Sequence, residues 1–140
     1  MLFRSGEAEE FLRESVRLQP TWGQIHYSLG LLLAEDRARL SEAIRSLERA
    51  AGFMPENPRV TYNLGIAYWQ SQRVGDAVRS FLHSIQLSPD NPEFRQRISE
   101  LYAQNGMWAE SVPHLRHLVN LVPDRPDFKA FLRQAESFIK

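Results

Sequence analysis

This chain reads as all-α, a stack of antiparallel helix pairs, and three observations carry that reading. Pro55, Pro89 and Pro123 recur every 34 residues, and Pro20 precedes the first of them by 35. Between the prolines, apolar residues fall at helical spacing: Leu64, Ala67 and Tyr68, then Ala77, Phe81 and Ile85 after a polar break. The breaks, at Gln70 to Gly75 and at Gln104-Asn105-Gly106, hold the polar residues and glycine that make tight turns. Each period therefore contains two helices. A fixed period of this length is the mark of a solenoid, in which each unit buries its apolar face only against its neighbours.

Taken in order, residues 1–22 predict a partial repeat: Gly6 to Gln19 has Ala8, Leu12 and Pro20 in the phase of a second helix, with no first helix before it. The chain thus starts in mid-repeat, as a fragment of a larger protein would, and Phe3, Phe11 and Leu12 are expected to meet upstream sequence or a second chain. Full repeats follow at 23–57, 58–91 and 92–125, and together with the flanking pieces they make one domain over 1–140. The 23–57 unit carries one extra residue, expected in the turn from Ala34 to Leu40. Ser88-Pro89-Asp90-Asn91-Pro92 and Val122-Pro123-Asp124-Arg125-Pro126 each end one helix and place a proline where the next begins, a position at which its missing N–H costs nothing. Pro113 falls inside a helix and is expected near its first turn. Residues 126–140 predict a capping helix with Phe128, Leu132, Ala135 and Ile139 on one face.

Residues in equivalent phase carry a family resemblance. Leu64-Gly65-Ile66-Ala67-Tyr68 lies over Leu29-Gly30-Leu31-Leu32-Leu33, with Ile98-Ser99-Glu100-Leu101-Tyr102 in the same register. With Ala77, Phe81 and Pro89 completing the best unit, the pattern resembles the tetratricopeptide repeat (TPR) family. Thr61 and His26 stand where that family has Trp, and Ser99, Ser111 and Leu115 are further departures. The resemblance implies a right-handed α-solenoid, the TPR superhelix, acting as a protein–protein interaction scaffold that binds a peptide or partner protein in its concave groove. A regulatory or assembly role within a larger enzymatic or membrane-linked protein, and self-association through the N-terminal end, are the alternatives.

In this family the first helix of each pair lines the groove. The resemblance places there Tyr27 and Leu31 of the first full repeat, with Gln24, Ala34 and Glu35 beside them. Arg59, Tyr62, Asn63, Ile66, Trp69 and Gln70 come from the second, and Gln96 and Arg97 from the third, with Glu93, Glu100 and Gln104. Tyr62, Ile66 and Trp69 share one helix face and have the chemistry of groove anchors, while Tyr62 and Trp69 serve equally well as packing residues between helices. A two-carboxylate clamp of the kind that grips chaperone tails is not expected: only Asn63 and Arg97 match it, and Glu93 puts repulsion where a Lys would attract an anion. A weaker anion contact through Arg59, Asn63 and Arg97 competes with an intrahelical pair between Glu93 and Arg97, which the four-residue spacing favours.

Composition narrows the remaining classes. Acidic and basic residues balance at 17 each, so no net field draws the chain to nucleic acid or to an anionic membrane. No apolar run approaches the roughly 20 residues of a membrane span, so no membrane insertion is expected. Glu7, Glu9 and Glu10 interrupt any signal-peptide core, and a cytoplasmic location is expected ahead of a periplasmic one. Cysteine is absent, which removes disulfides and thiolate chemistry. His114 and His117, with His83 one repeat earlier, lack further ligands at metal spacing, so no metal, no cofactor and no catalytic residue is assigned. No nucleophile elbow or phosphate-binding glycine loop occurs, and the chain is not read as an enzyme.

Overall fold

The computed structural model describes residues 5–139; the side chain of Ser5 and the whole of Met1 to Arg4 and Lys140 lie outside that description. Among the described residues there are eight α-helices and no strand: α1 (Ser5–Leu18), α2 (Gly23–Ala34), α3 (Leu40–Phe53), α4 (Pro58–Gln70), α5 (Val74–Leu87), α6 (Pro92–Gln104), α7 (Trp108–Leu121) and α8 (Pro126–Ser137). The chain divides into two compact units, Met1–Ser80 and Phe81–Lys140, with the division inside α5.

The prolines act as the sequence implies. Asn57 caps α4 through Oδ1, which accepts from the N–H of Arg59 at 3.0 Å and of Val60 at 3.4 Å, with Pro58 opening the helix. Asn91 does the same for α6, accepting from Glu93 at 2.9 Å and Phe94 at 3.3 Å ahead of Pro92. These caps satisfy helix N–H groups that have no partner within the helix. The turns that join two helices of a pair are three residues long at 71–73 and at 105–107, and each contains one left-handed residue: Gln72 (φ 66°) and Gly106 (φ 72°). Between α2 and α3 the connection runs over 35–39 and coils into a 3-10 turn, Arg37–Arg39, which Asp36 caps by accepting from the N–H of Ala38. The extra residue is taken up there.

In the first unit each helix packs on the next, and α2 also touches α4, two places on. Leu29, Leu33 and Ala43 form a core against which Leu12 and Val16 of α1 pack. Leu12 therefore belongs to the core, whereas Phe11 on the same helix is 68% exposed; Phe3 lies outside the described residues. Gly30 sits over Leu47 so closely that a Cβ would come within 2.7 Å of Leu47 Cγ, and this absence of a side chain sets the approach of α2 to α3. A chain of alternating charges adds to the hold on α1. Glu9 pairs with Arg39 and, at 2.8 Å, with Arg13, while Glu42 meets Arg13 at 2.5 Å and Arg39 at 3.4 Å. The Arg39 guanidinium, then Arg13, hold the Glu9 carboxyl down at about 2.

In the second unit Val112, Leu115, Leu118, Phe128 and Ala135 form the core between α7 and α8, with Phe131 and Leu132 packed against it. Ile139 falls past the end of α8 and is 45% exposed, so it is not on the packed face. Trp108 covers that end instead, stacked on Phe138 at 4.6 Å and edge-on to Phe131 at 6.5 Å. Pro113 is the sixth residue of α7, in its second turn rather than its first, and removes the N–H that would donate to the Ala109 carbonyl.

Candidate partner-binding site

In the first unit, α2, the residue after it and α4 bring six of the expected groove residues to one place. Leu31, Asn63, Ile66 and Gln70 line a recess of about 160 Å³ with Ala34 and Glu35 at its edge and Leu47 of α3 among its walls. Leu31 is 38% exposed and Ile66 half-buried, so the recess offers apolar surface to solvent while its floor is packed. A small residue at Ala34 and at Ala67 keeps it open.

Asn63 is held from two sides. Its Nδ2 donates to the Tyr27 hydroxyl at 2.7 Å, joining α4 to α2, and to the Arg59 carbonyl at 3.0 Å within α4. Both amide hydrogens are thus engaged, and what remains is the carboxamide oxygen, an acceptor. That geometry suits a partner's backbone N–H and works against an anion contact at Asn63. Glu35 has no cation paired with it among the described residues, so a carboxylate stands uncompensated at the rim.

The other expected residues are placed less openly. Tyr62 is only 4% exposed, with the Arg59 guanidinium 5.1 Å from its ring centroid, so it is a packing residue, the second of the two roles its position allows. Trp69 is half-buried and Arg59 and Gln70 are exposed. Gln96 and Arg97 lie half-buried on α6 in the second unit, where Arg97 pairs with Glu100 at 3.0 Å. His26, at the family's Trp position, is buried; its Nε2–H donates to the Pro20 carbonyl at 2.7 Å and the ring stacks on Phe53 at 5.6 Å.

The histidines of α7 serve structure. His114 Nδ1 accepts from Arg95 at 3.1 Å while its ring stacks on Tyr102 at 6.0 Å; burial first, then the Arg95 charge, pushes its pKa down to about 4. His117 Nε2 lies 3.0 Å from Asp90 Oδ1. Among the described residues no group of three or more His, Asp or Glu is placed to hold a metal ion, and no helix is long and apolar enough to cross a membrane. Sequence reasoning did not single out Leu47 as a residue of the recess, because its place there depends on how closely Gly30 lets α2 approach.

Comparison with known proteins agrees with this architecture. Residues 31–92 match the family described as tetratricopeptide repeat. The chain is similar to the solved structure of MamA MSR-1 at 26% identity and a TM-score of 0.70, covering 81% of this chain and 64% of that one, so it spans less than two thirds of that protein. It is similar in fold to MamA from Desulfovibrio magneticus RS-1 at 17% identity and TM-score 0.78, over 86% of this chain and 68% of that one. Similar in fold too is the Yersinia enterocolitica type III secretion chaperone SycD, solved with a peptide of the translocator YopD, at 19% identity and TM-score 0.65, over 83% of this chain and 88% of that one. No curated protein matches. In sequence period, in helix arrangement and in likeness to solved structures, this chain is similar to tetratricopeptide repeat proteins, and residues 31–92 match that repeat.

Proposed function

We propose that the chain is a non-catalytic scaffold that holds a peptide or a segment of a partner protein on the α2–α4 face, with one aliphatic side chain in the Leu31–Ile66 recess. The observation that carries the reading is the recess itself: exposed apolar walls beside a hydrogen-bond acceptor whose own donors are already used. A protein gains nothing in its own packing from leaving such a surface open, and a cleft with apolar walls and a few fixed polar groups is the usual form of a recognition site. The partner's backbone N–H would meet the Asn63 carboxamide oxygen. A Lys or Arg next to the aliphatic anchor would meet Glu35. The complex of SycD with a YopD peptide supports this use of the fold.

Selection from a displayed peptide library tests it. Wild-type protein should enrich sequences with an aliphatic residue adjacent to a basic one, Ile66→Glu should enrich none of them, and Glu35→Lys should shift the selected charge from basic to acidic. Enrichment that is the same on all three proteins would remove the recess from consideration.

A second reading, self-association through α1, has its own observation. Phe11 and Leu18, seven residues apart, are 68% and 62% exposed, with Trp22 at 57% just beyond the helix. Two helical turns separate Phe11 and Leu18, so they share one face. A mass that rises with concentration in the wild type and not in Phe11→Glu supports this reading, and a constant monomer mass ends it.

A further inference from the structure

The first unit contains a second cavity that shares no residue with the recess above. It is about 340 Å³ in volume and lies between Arg13 of α1 and Arg45, Ser46 and Arg49 of α3, with His26 and Leu29 of α2 contributing to its walls. Its charge is unusual in a chain that is neutral overall. Three guanidinium groups face one carboxylate, Glu42, which is already committed to Arg13 at 2.5 Å and to Arg39 at 3.4 Å.

Arg45 and Arg49 have no carboxylate paired with them among the described residues. They lie one helical turn apart, a spacing at which like charges repel and weaken the helix. Packing does not require them: both are exposed, while the buried positions of the same helix are Leu40, Ala43, Ile44, Leu47 and Ala50. Ser46, between them in sequence, is half-buried and its hydroxyl makes no hydrogen bond among the described residues. Arg13 spends Nε on Glu9 and Nη2 on Glu42, which leaves Nη1. Guanidinium groups present paired N–H donors that match the oxygens of a phosphoryl group, and they desolvate more readily than ammonium groups.

We propose that this cavity binds a diphosphate, either as the free anion or carried on a nucleoside, with Arg45 and Arg49 each holding one phosphoryl group and Arg13 and Ser46 closing the cradle. Two phosphoryl groups match two guanidinium groups a turn apart, and a cavity of about 340 Å³ has room for more than a single oxyanion. The site is independent of peptide binding on the α2–α4 face, because no side chain serves both.

Titration calorimetry at low salt, with inorganic pyrophosphate and with adenosine diphosphate against sodium chloride at matched ionic strength, tests the proposal. Both ligands should bind the wild type one to one, and affinity should fall at least tenfold in the Arg45→Gln/Arg49→Gln double variant. The charge-preserving Arg45→Lys/Arg49→Lys variant should fall between the two, and Ile66→Glu should bind as the wild type does. Equal affinity for the two ligands assigns the site to the phosphoryl groups alone; tighter binding of the nucleotide adds the Leu29 wall to it. No heat from either ligand, or equal binding by the Gln double variant with its helical circular dichroism intact, overturns the proposal.

Discussion

Asn63 Nδ2 donates to the Tyr27 hydroxyl at 2.7 Å, and this bond ties α4 to α2 beside the recess that Leu31 and Ile66 open. Tyr27→Phe removes the acceptor and leaves an amide hydrogen of Asn63 without its partner. A loss of about 1 kcal/mol in unfolding free energy is expected, the net worth of a neutral hydrogen bond. Urea melts of Tyr27→Phe, Asn63→Ala and the double variant would show it as a coupling: the two substitutions together should cost clearly less than their sum.

Gln72 and Gly106 hold equivalent turn positions with φ of 66° and 72°. A side chain in the left-handed region costs roughly 1 kcal/mol that glycine does not incur. Gln72→Gly should therefore raise the melting temperature by a few degrees, and Gly106→Ala should lower it. A lower melting temperature for Gln72→Gly would show that its side chain, not its backbone, matters at that turn.

Gly30 and Leu47 make the opposite case, where glycine is needed for space. Alanine is the better helix former by about 1 kcal/mol, but at position 30 its methyl would meet Leu47 Cγ at 2.7 Å and the Leu47 backbone N at 3.2 Å. Leu47 is 1% exposed, and its backbone N, held in α3, cannot give way as a flexible side-chain end would. Gly30→Ala is expected to destabilise by about 1–3 kcal/mol, the range for overpacking a core. Because Leu47 also borders the recess, the same variant should weaken peptide binding.

His114 makes stability depend on pH. Its pKa is about 4 in the folded chain against 6.5 for a free side chain, so unfolding takes up a proton between those values. The contribution of the neutral ring is fully present above pH 6.5 and is lost as pH falls toward 4. Glu9, held down at about 2, contributes stability present above 4.5 and lost on further acidification. Melting curves from pH 7 to pH 4 should steepen less in His114→Gln than in the wild type, and an unchanged slope would contradict the burial of the neutral ring.

Much of the fold was legible because helix repeats write their geometry into a fixed period. The 34-residue spacing of Pro55, Pro89 and Pro123, with Pro92 and Pro126 after the last two, located the starts of α6 and α8 to the residue. Leu12 was less legible: its periodicity marked an apolar position and assigned it to upstream sequence or a second chain, whereas it packs against the core formed by Leu29, Leu33 and Ala43. Tyr62 and Ile66 differ in burial although both fall on the expected face, since they lie one helical turn apart and the packing around each decides which side chain is covered. The Arg45–Arg49 cavity was invisible for a different reason. It needs Arg13, 32 residues before Arg45, and only the packing of α1 brings the two elements together.

The most direct test of the account is a binding titration of a library-selected peptide against three proteins: wild type, Ile66→Glu and Phe11→Glu. Ile66→Glu should lower affinity at least tenfold with the fold intact, because a carboxylate in an apolar recess is left without a partner, while Phe11→Glu should bind as the wild type does. If Ile66→Glu binds unchanged and Phe11→Glu loses the peptide, the α2–α4 face is not the working surface and the exposed side of α1 is.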